Sequence, residues 1–260
     1  MALVDISRDG AVVTVTLTRP EARNALSVEM CEDITVALHG VDADPDARVV
    51  QLRGSGSVFC AGADLQAVSG PEAQGFLPAF EAMLETLARF RLPTIAVIQG
   101  AALGGGLQLA SVCDFRIATR SAKLGIPSSR LGILVNFENV QRLVLLVGTA
   151  RAKEILMTGA TYTAPEAVGL GLLTSEVPDD QLDATAEALS ASLATGAPLS
   201  VQGSKRAIQA VVDHLSGTRA ASPEVVAEID RLVGEAYASE DLAEGVRALQ
   251  EKRTPEFRGG

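Results

Sequence analysis

The sequence has no tryptophan, only two tyrosines and seven phenylalanines in 260 residues. It therefore offers few aromatic faces on which nucleobases stack. Positive charge is also short: 22 Lys and Arg face 32 Asp and Glu, a formal charge of −10. Nonspecific nucleic-acid binding needs a basic face, which this balance disfavours, so no nucleic-acid partner is expected. The three cysteines, Cys31, Cys60 and Cys113, lie far apart without a CxxC pair. That argues against a disulfide framework or a zinc site. The two histidines, His39 and His214, fall in helix-like segments without a second ligand one turn on, so no metal is expected. No apolar run approaches the roughly 18 residues of a membrane span. "MALVDISRDG" lacks a basic stretch leading into an apolar one, and a cytoplasmic location is expected. No GxxxxGK[ST], no GxGxxG opening the first βα unit and no GxSxG is present, which speaks against a P-loop, a dinucleotide fold and a hydrolase nucleophile elbow.

What the chain does have is apolar mass, 47% of residues, ample for a large core. "AVVTVTLTRP" (11–20) alternates β-branched and small residues up to a proline and reads as a strand. "SVEMCEDITVALHGV" (27–41) opens on a serine cap and continues with helical spacing. A strand is expected at "RVVQLRG" (48–54), then a helix over 71–90 in which Pro78 breaks or delays the start, then a buried strand at "TIAVIQG" (94–100). Strand and helix patterns recur through "DFRIATR", "AKLGI" and "ENVQRLVLLVG". From about residue 179 four amphipathic helices follow with no strand between them. The expected organisation is an α/β core over 1–195 and a C-terminal helical region over 196–260, with Gly259 and Gly260 frayed.

The densest signal is "GAALGGGLQLASVC" (100–113). Three consecutive glycines at 104–106 follow a strand and open a helix. Glycine permits positive φ and close backbone approach, and a helix start exposes N–H groups that hold an anion or a developing oxyanion. "GSVFCAGADL" (56–65) is a second small-residue loop after a strand. Together the two loops supply one N–H each, the minimum for an oxyanion hole.

The motifs "RPEARNAL" (19–26), "FCAGADL" (59–65), "LPTIAVIQGAALGGG" (92–106), "CDFRIA" (113–118), "LGIPSSRLGI" (124–133) and "EKRTPEF" (251–257) occur in this order over nearly the whole length. In them the chain resembles the crotonase superfamily, the enoyl-CoA hydratase/isomerase family. The resemblance implies a ClpP-like spiral of ββα units with C-terminal helices that assemble trimers, often paired into hexamers. It implies an acyl-CoA thioester as ligand, coenzyme A arriving with the substrate and no separate cofactor. It makes the backbone N–H groups of Ala63 and Gly105 the oxyanion donors, flanked by Gly104 and Gly106. Ala22, Arg23, Ala61, Gly62, Asp64 and Leu65 match positions that hold coenzyme A. Lys252 and Phe257 do so as well, often for a neighbouring subunit.

The pattern also breaks. Hydration across a double bond uses two carboxylates, one as base and one as acid. The family places them at positions that are Gln108 and Ser128 here, and a third acidic position is Asn136. None of these side chains titrates near neutral pH, so efficient hydration is not expected. Glu138, opening the next helix, is a candidate single base for an isomerase-type 1,3-proton shift, although the helix dipole alone favours an acid there. Asp64 is a weaker candidate. Decarboxylation, which needs enolate stabilisation but no base, stays open. So does a non-catalytic acyl-CoA binding role. A serine peptidase centred on Ser111 lacks a histidine in reach. Cys60 and Cys113 read as small core residues. The apolar positions of 76–90 line an acyl chain or belong to the core.

Overall fold

A computed structural model of the protein describes residues 3–65, 73–215 and 223–259. Two sheets organise the core. The larger has the order β1 (Val4–Asp9), β2 (Val12–Leu17), β3 (Val49–Gly54), β4 (Thr94–Ile98), β6 (Phe115–Thr119) and β9 (Ser175–Val177). β1 and β2 form an antiparallel hairpin, and the remaining pairings are parallel. The smaller sheet joins β5 (Ala101–Leu103), β7 (Lys123–Gly125) and β8 (Thr161–Thr163). Each passage from the large sheet to the small one is a ββα step of the spiral.

Side-chain pattern explains the layers. β2 alternates buried Val13, Val15 and Leu17 with half-buried residues, as a strand near the sheet edge does. β4 is buried at all five positions, the mark of a central parallel strand covered on both faces. One face packs on the helices Val28–Asp42 and Ala73–Ala88 through Met30, Ile34, Leu38, Met83, Leu84 and Leu87. The opposite face is covered by the helix Leu182–Ala194, where Leu182 and Ala186 meet Val49, Ile95, Val97 and Ile117. A buried polar tie, Gln51 Nε2 donating to Ser190 Oγ at 2.8 Å, pins that helix to β3.

The first expected helix is observed with its cap: Ser27 Oγ accepts the Met30 amide at 3.1 Å. Two expectations differ from the structure, and one strand was not foreseen. β1 carries polar residues and is exposed along the sheet edge, so alternation did not mark it. Pro78 lies inside the helix Ala73–Ala88, on its exposed side where water reaches the carbonyl left without a partner, and so does not break it. The expected helical residues 71–72 lie outside the described residues. Gly259 is held by its amide, which donates to Asp241 at 2.8 Å; Gly260 is outside the described residues.

Four helices end the chain, Leu182–Ala194, Pro198–Leu215, Pro223–Ala238 and Glu240–Glu251. The second is anchored to the core by Lys205, whose ammonium donates to Asp114 at 2.6 Å and to the Leu92 carbonyl at 2.8 Å. Asp114 in turn accepts the Thr94 amide at 2.7 Å, so one carboxylate fixes the start of β4 and the helix beneath it.

All three cysteines are buried. Burial pushes the thiols of Cys31, Cys60 and Cys113 up to about 12, because a thiolate there would lose its hydration. The core reading of Cys60 and Cys113 therefore agrees with their surroundings. Iodoacetamide at pH 8 is expected to leave the native protein unmodified and to label three thiols once it is unfolded in guanidinium. Rapid native labelling, read by intact mass, would contradict this packing.

Candidate active site

The site begins with a strap. Pro20–Ala22 makes a short 3₁₀ turn, and Arg23 and Asn24 then adopt φ of 53° and 55°. Left-handed backbone is uncommon outside glycine, and asparagine tolerates it best. The reversal returns the chain alongside residues 61–64. The Ala61 amide donates to the Arg23 carbonyl at 3.0 Å, Leu26 to Gly62 at 2.8 Å, and Asp64 to Leu26 at 2.8 Å. Asn24, fully buried, seals the strap. Its Nδ2 donates to the carbonyls of Val58 at 2.7 Å and Ser55 at 2.9 Å, while Oδ1 accepts the Arg19 amide at 3.0 Å. Arg19 adds an ion pair to Asp64 at 2.8 Å. Sequence reading passed over Arg19 and Asn24; the left-handed tolerance of asparagine was the available signal. Asp64 touches the cavity, but its carboxylate is engaged with that arginine.

The glycines do two separate jobs. Gly104 takes φ 52° to turn β5 into the helix Gly105–Ser111. Gly106 leaves room for the neighbouring loop: a Cβ there would lie 2.4 Å from the Cys60 carbonyl oxygen. Between them, Gly105 lies beside the first loop, where a Cβ would be 3.4 Å from the Ala63 nitrogen. Gly104 donates to Gly125 at 2.8 Å and Asp64 to Leu26, yet among the described residues the amides of Ala63 and Gly105 donate to no protein acceptor. Two adjacent, unengaged N–H donors of this kind suit an oxygen that gains negative charge.

These amides open on a cavity of about 450 Å³. Of the residues singled out from sequence, Ala22, Arg23, Ala61, Gly62, Ala63, Asp64, Leu65, Gly104, Gly105, Gln108, Ser128 and Asn136 line it. Phe76, Leu77 and Phe80 of the helix Ala73–Ala88 line it too, with Phe76 and Phe80 stacked at 5.5 Å. Gly106 sits behind the wall. Glu138 does not line the cavity: it is exposed and accepts a hydrogen bond from Asn136 Nδ2 at 3.1 Å. The reason is the helix start. Asn136 is the N-cap, which turns residue 136 toward the cavity and residue 138 outward. Lys252 and Phe257 lie elsewhere in the chain, Phe257 against Gly245 in a groove with Leu242, Val246 and Leu249. Asn139, one helical turn after Asn136, lines the cavity and was not foreseen. The peptidase reading finds no support, since Ser111 Oγ donates back to Leu107 and Gln108 carbonyls and both histidines are exposed.

Two glycine-rich loops converging on one cavity within a ββα spiral define the crotonase fold. A family model described as enoyl-CoA hydratase/isomerase matches residues 7–260. A "probable enoyl-CoA hydratase" of Mycobacterium bovis is 37% identical over 257 residues, covering 97% of this chain and 96% of that protein. A Bacillus subtilis protein with the same description is 35% identical and is covered in full, as is this chain. A crystal structure from Magnetospirillum magneticum, described as an enoyl-CoA hydratase/carnithine racemase, superposes with TM-score 0.90 at 32% identity, over 100% of this chain and 97% of that one. The chain belongs to the enoyl-CoA hydratase/isomerase family.

Two neighbouring glycines are expected to respond differently to alanine. Gly106→Ala forces a backbone carbonyl to move and should cost more than about 3 kcal/mol in urea denaturation. Gly105→Ala meets an ordinary contact and should change stability by under about 1 kcal/mol. Asn24→Ala, which removes a fully buried side chain from three backbone partners, should cost about 2–4 kcal/mol in the same assay.

Proposed function

We propose that the protein is an acyl-CoA enzyme that stabilises a thioester enolate between the amides of Ala63 and Gly105, and that it is a poor enoyl-CoA hydratase. The observation that carries this reading is the pairing of those two unengaged N–H groups at a cavity whose usual acid and base positions hold Gln108 and Ser128. Preorganised donors stabilise charge that appears only in the transition state, and losing one typically costs about 10²–10³ in rate. Arg23, on the cavity lining, supplies positive charge for the phosphates of coenzyme A.

A single-base proton shift by Glu138 requires that carboxylate to leave Asn136 and turn inward. Its exposed position favours chemistry that does not use it. The three neutral positions also motivate a second reading, in which the protein binds or delivers acyl-CoA without turning it over. For Lys252 and Phe257 the reading is service to a neighbouring subunit in a homotrimer or homohexamer. The exposed Tyr237, Leu242, Val246 and Leu249 of the last two helices support burial of that surface by a second copy.

Mass spectrometry of purified protein with enoyl- and acyl-CoA thioesters in deuterated water separates these readings. Deuterium exchange or a change in product mass is expected. Binding without either establishes the carrier role instead. Restoring the carboxylates should restore the water chemistry: Gln108→Glu combined with Ser128→Glu is expected to raise crotonyl-CoA hydration by about 10²–10⁴. No gain in a folded, acyl-CoA-binding variant would show that these positions are not the acid and base sites. Glu138→Gln is expected to leave turnover within about twofold of wild type; a loss approaching the roughly 10²-fold of a general base would place it in the reaction.

A further inference from the structure

The cavity contains neutral polar groups that enolate stabilisation does not use. Among the described residues no hydrogen bond engages the side chain of Gln108 or Ser128, although both line the cavity. Asn139 lines it as well, and its amide is oriented from behind. Glu81 carries a carboxylate, which accepts, so Asn139 Nδ2 faces it at 2.6 Å. Arg142 only donates, so Asn139 Oδ1 faces its Nη1 at 2.8 Å. Arg142 is itself held by Glu85 at 3.0 Å. The amide cannot turn over, and one of its two N–H donors remains uncommitted on a residue of the cavity wall. Three donors without charge therefore stand around the space where other chemistry would place acids.

We propose that Gln108, Ser128 and Asn139 form a carboxylate-binding subsite and that the substrate is a malonyl-type acyl-CoA, which the enzyme decarboxylates. The inference rests on the acyl-CoA reading above and names its substrate class. The bond between the α-carbon and the carboxylate breaks, and its electron pair passes into the thioester to form the enolate held by Ala63 and Gly105. Carbon dioxide leaves uncharged, and a proton from water ends on the α-carbon. No base is required, which suits a cavity whose acid positions are glutamine, serine and asparagine.

The neutrality of the donors has its own logic. A cation beside the carboxylate would stabilise the ground state through a charge that disappears as carbon dioxide forms. Such an interaction slows the step, because only contacts that strengthen toward the transition state accelerate it. Neutral donors fix the carboxylate perpendicular to the enolate plane without that added hold. The oxyanion amides supply the differential stabilisation. Glu81 and Arg142 act here as positioning residues, since they reach the substrate only through Asn139.

The test uses the full-length protein in deuterated water with malonyl-CoA and methylmalonyl-CoA, and with butyryl-CoA as the ligand that lacks the carboxylate. Carbon dioxide release with one deuterium on the α-carbon of the product is the expected result. Asn139→Leu and Gln108→Leu should each slow decarboxylation by about ten- to hundredfold. Glu81→Gln, which frees the amide to turn, should lower kcat by a smaller factor with little change in KM. Its effect should vanish in the Asn139→Leu background, a dependence that a merely structural role for Glu81 would not show. Circular dichroism and thermal midpoint check the fold of each variant, and Gln108→Leu carries the test where Asn139→Leu does not fold. Tight butyryl-CoA binding without malonyl-CoA decarboxylation overturns this inference and leaves the acyl-CoA reading intact. Failure of every acyl-CoA to bind overturns that reading itself. Decarboxylation that both Asn139→Leu and Gln108→Leu leave unchanged removes the subsite.

Discussion

The whole site depends on one close approach, that of the Cys60 carbonyl to the backbone of residue 106. With 2.4 Å separating that oxygen from the place a Cβ would occupy, only glycine lets the two loops meet. Their meeting brings the amides of residues 63 and 105 together, and the strap of residues 19–26 then locks the first loop from its other side. Buried backbone donors are nearly always satisfied in folded proteins. Here the amides of Ala63 and Gly105 remain open to the cavity, while those of Asp64 and Gly104 are taken by Leu26 and Gly125. The open pair is thus a consequence of the close packing of the two loops.

Set against this rigid half, the other half of the cavity carries the neutral polar side chains of Gln108, Ser128, Asn136 and Asn139. Ser128 follows a proline at a short helix start, and Asn136 caps the helix that follows. Asparagine is among the best caps, accepting an amide as well as a carboxylate would. An acid can therefore leave position 136 with little cost to the helix. The scaffold tolerates such exchanges, which is how one fold hosts several acyl chemistries.

Much of the architecture was legible because its signals are local. The serine cap at residue 27, the apolar run Ile95–Ile98 of β4 and the glycines before residue 107 each announce their element. β1 was missed because an exposed edge strand carries no alternation. Pro78 misled because a proline on a solvent-facing turn costs less than one facing the core. In the site, the lining residues near the glycines were legible from the family motifs. The direction of Glu138 was not, since it follows from which residue caps the helix. Asn24, Arg19 and Asn139 each also bond a partner 31 to 58 residues away, and no local pattern encodes those pairings.

Asn139 has a consequence for how this site diverges. Behind it runs a line of alternating charges: Glu81 and Arg142, then Glu85, then Arg89, which reaches Asp213 on the helix Pro198–Leu215. One end of the line is the cavity wall, and the other is the C-terminal helical region. The polarity presented to the cavity is therefore set partly by residues outside its lining. Two relatives with identical lining residues but different partners at 81, 85 or 142 would display asparagine in opposite senses, offering a donor in one and an acceptor in the other. Selectivity in this fold can drift from the outside inward, with the lining itself unaltered.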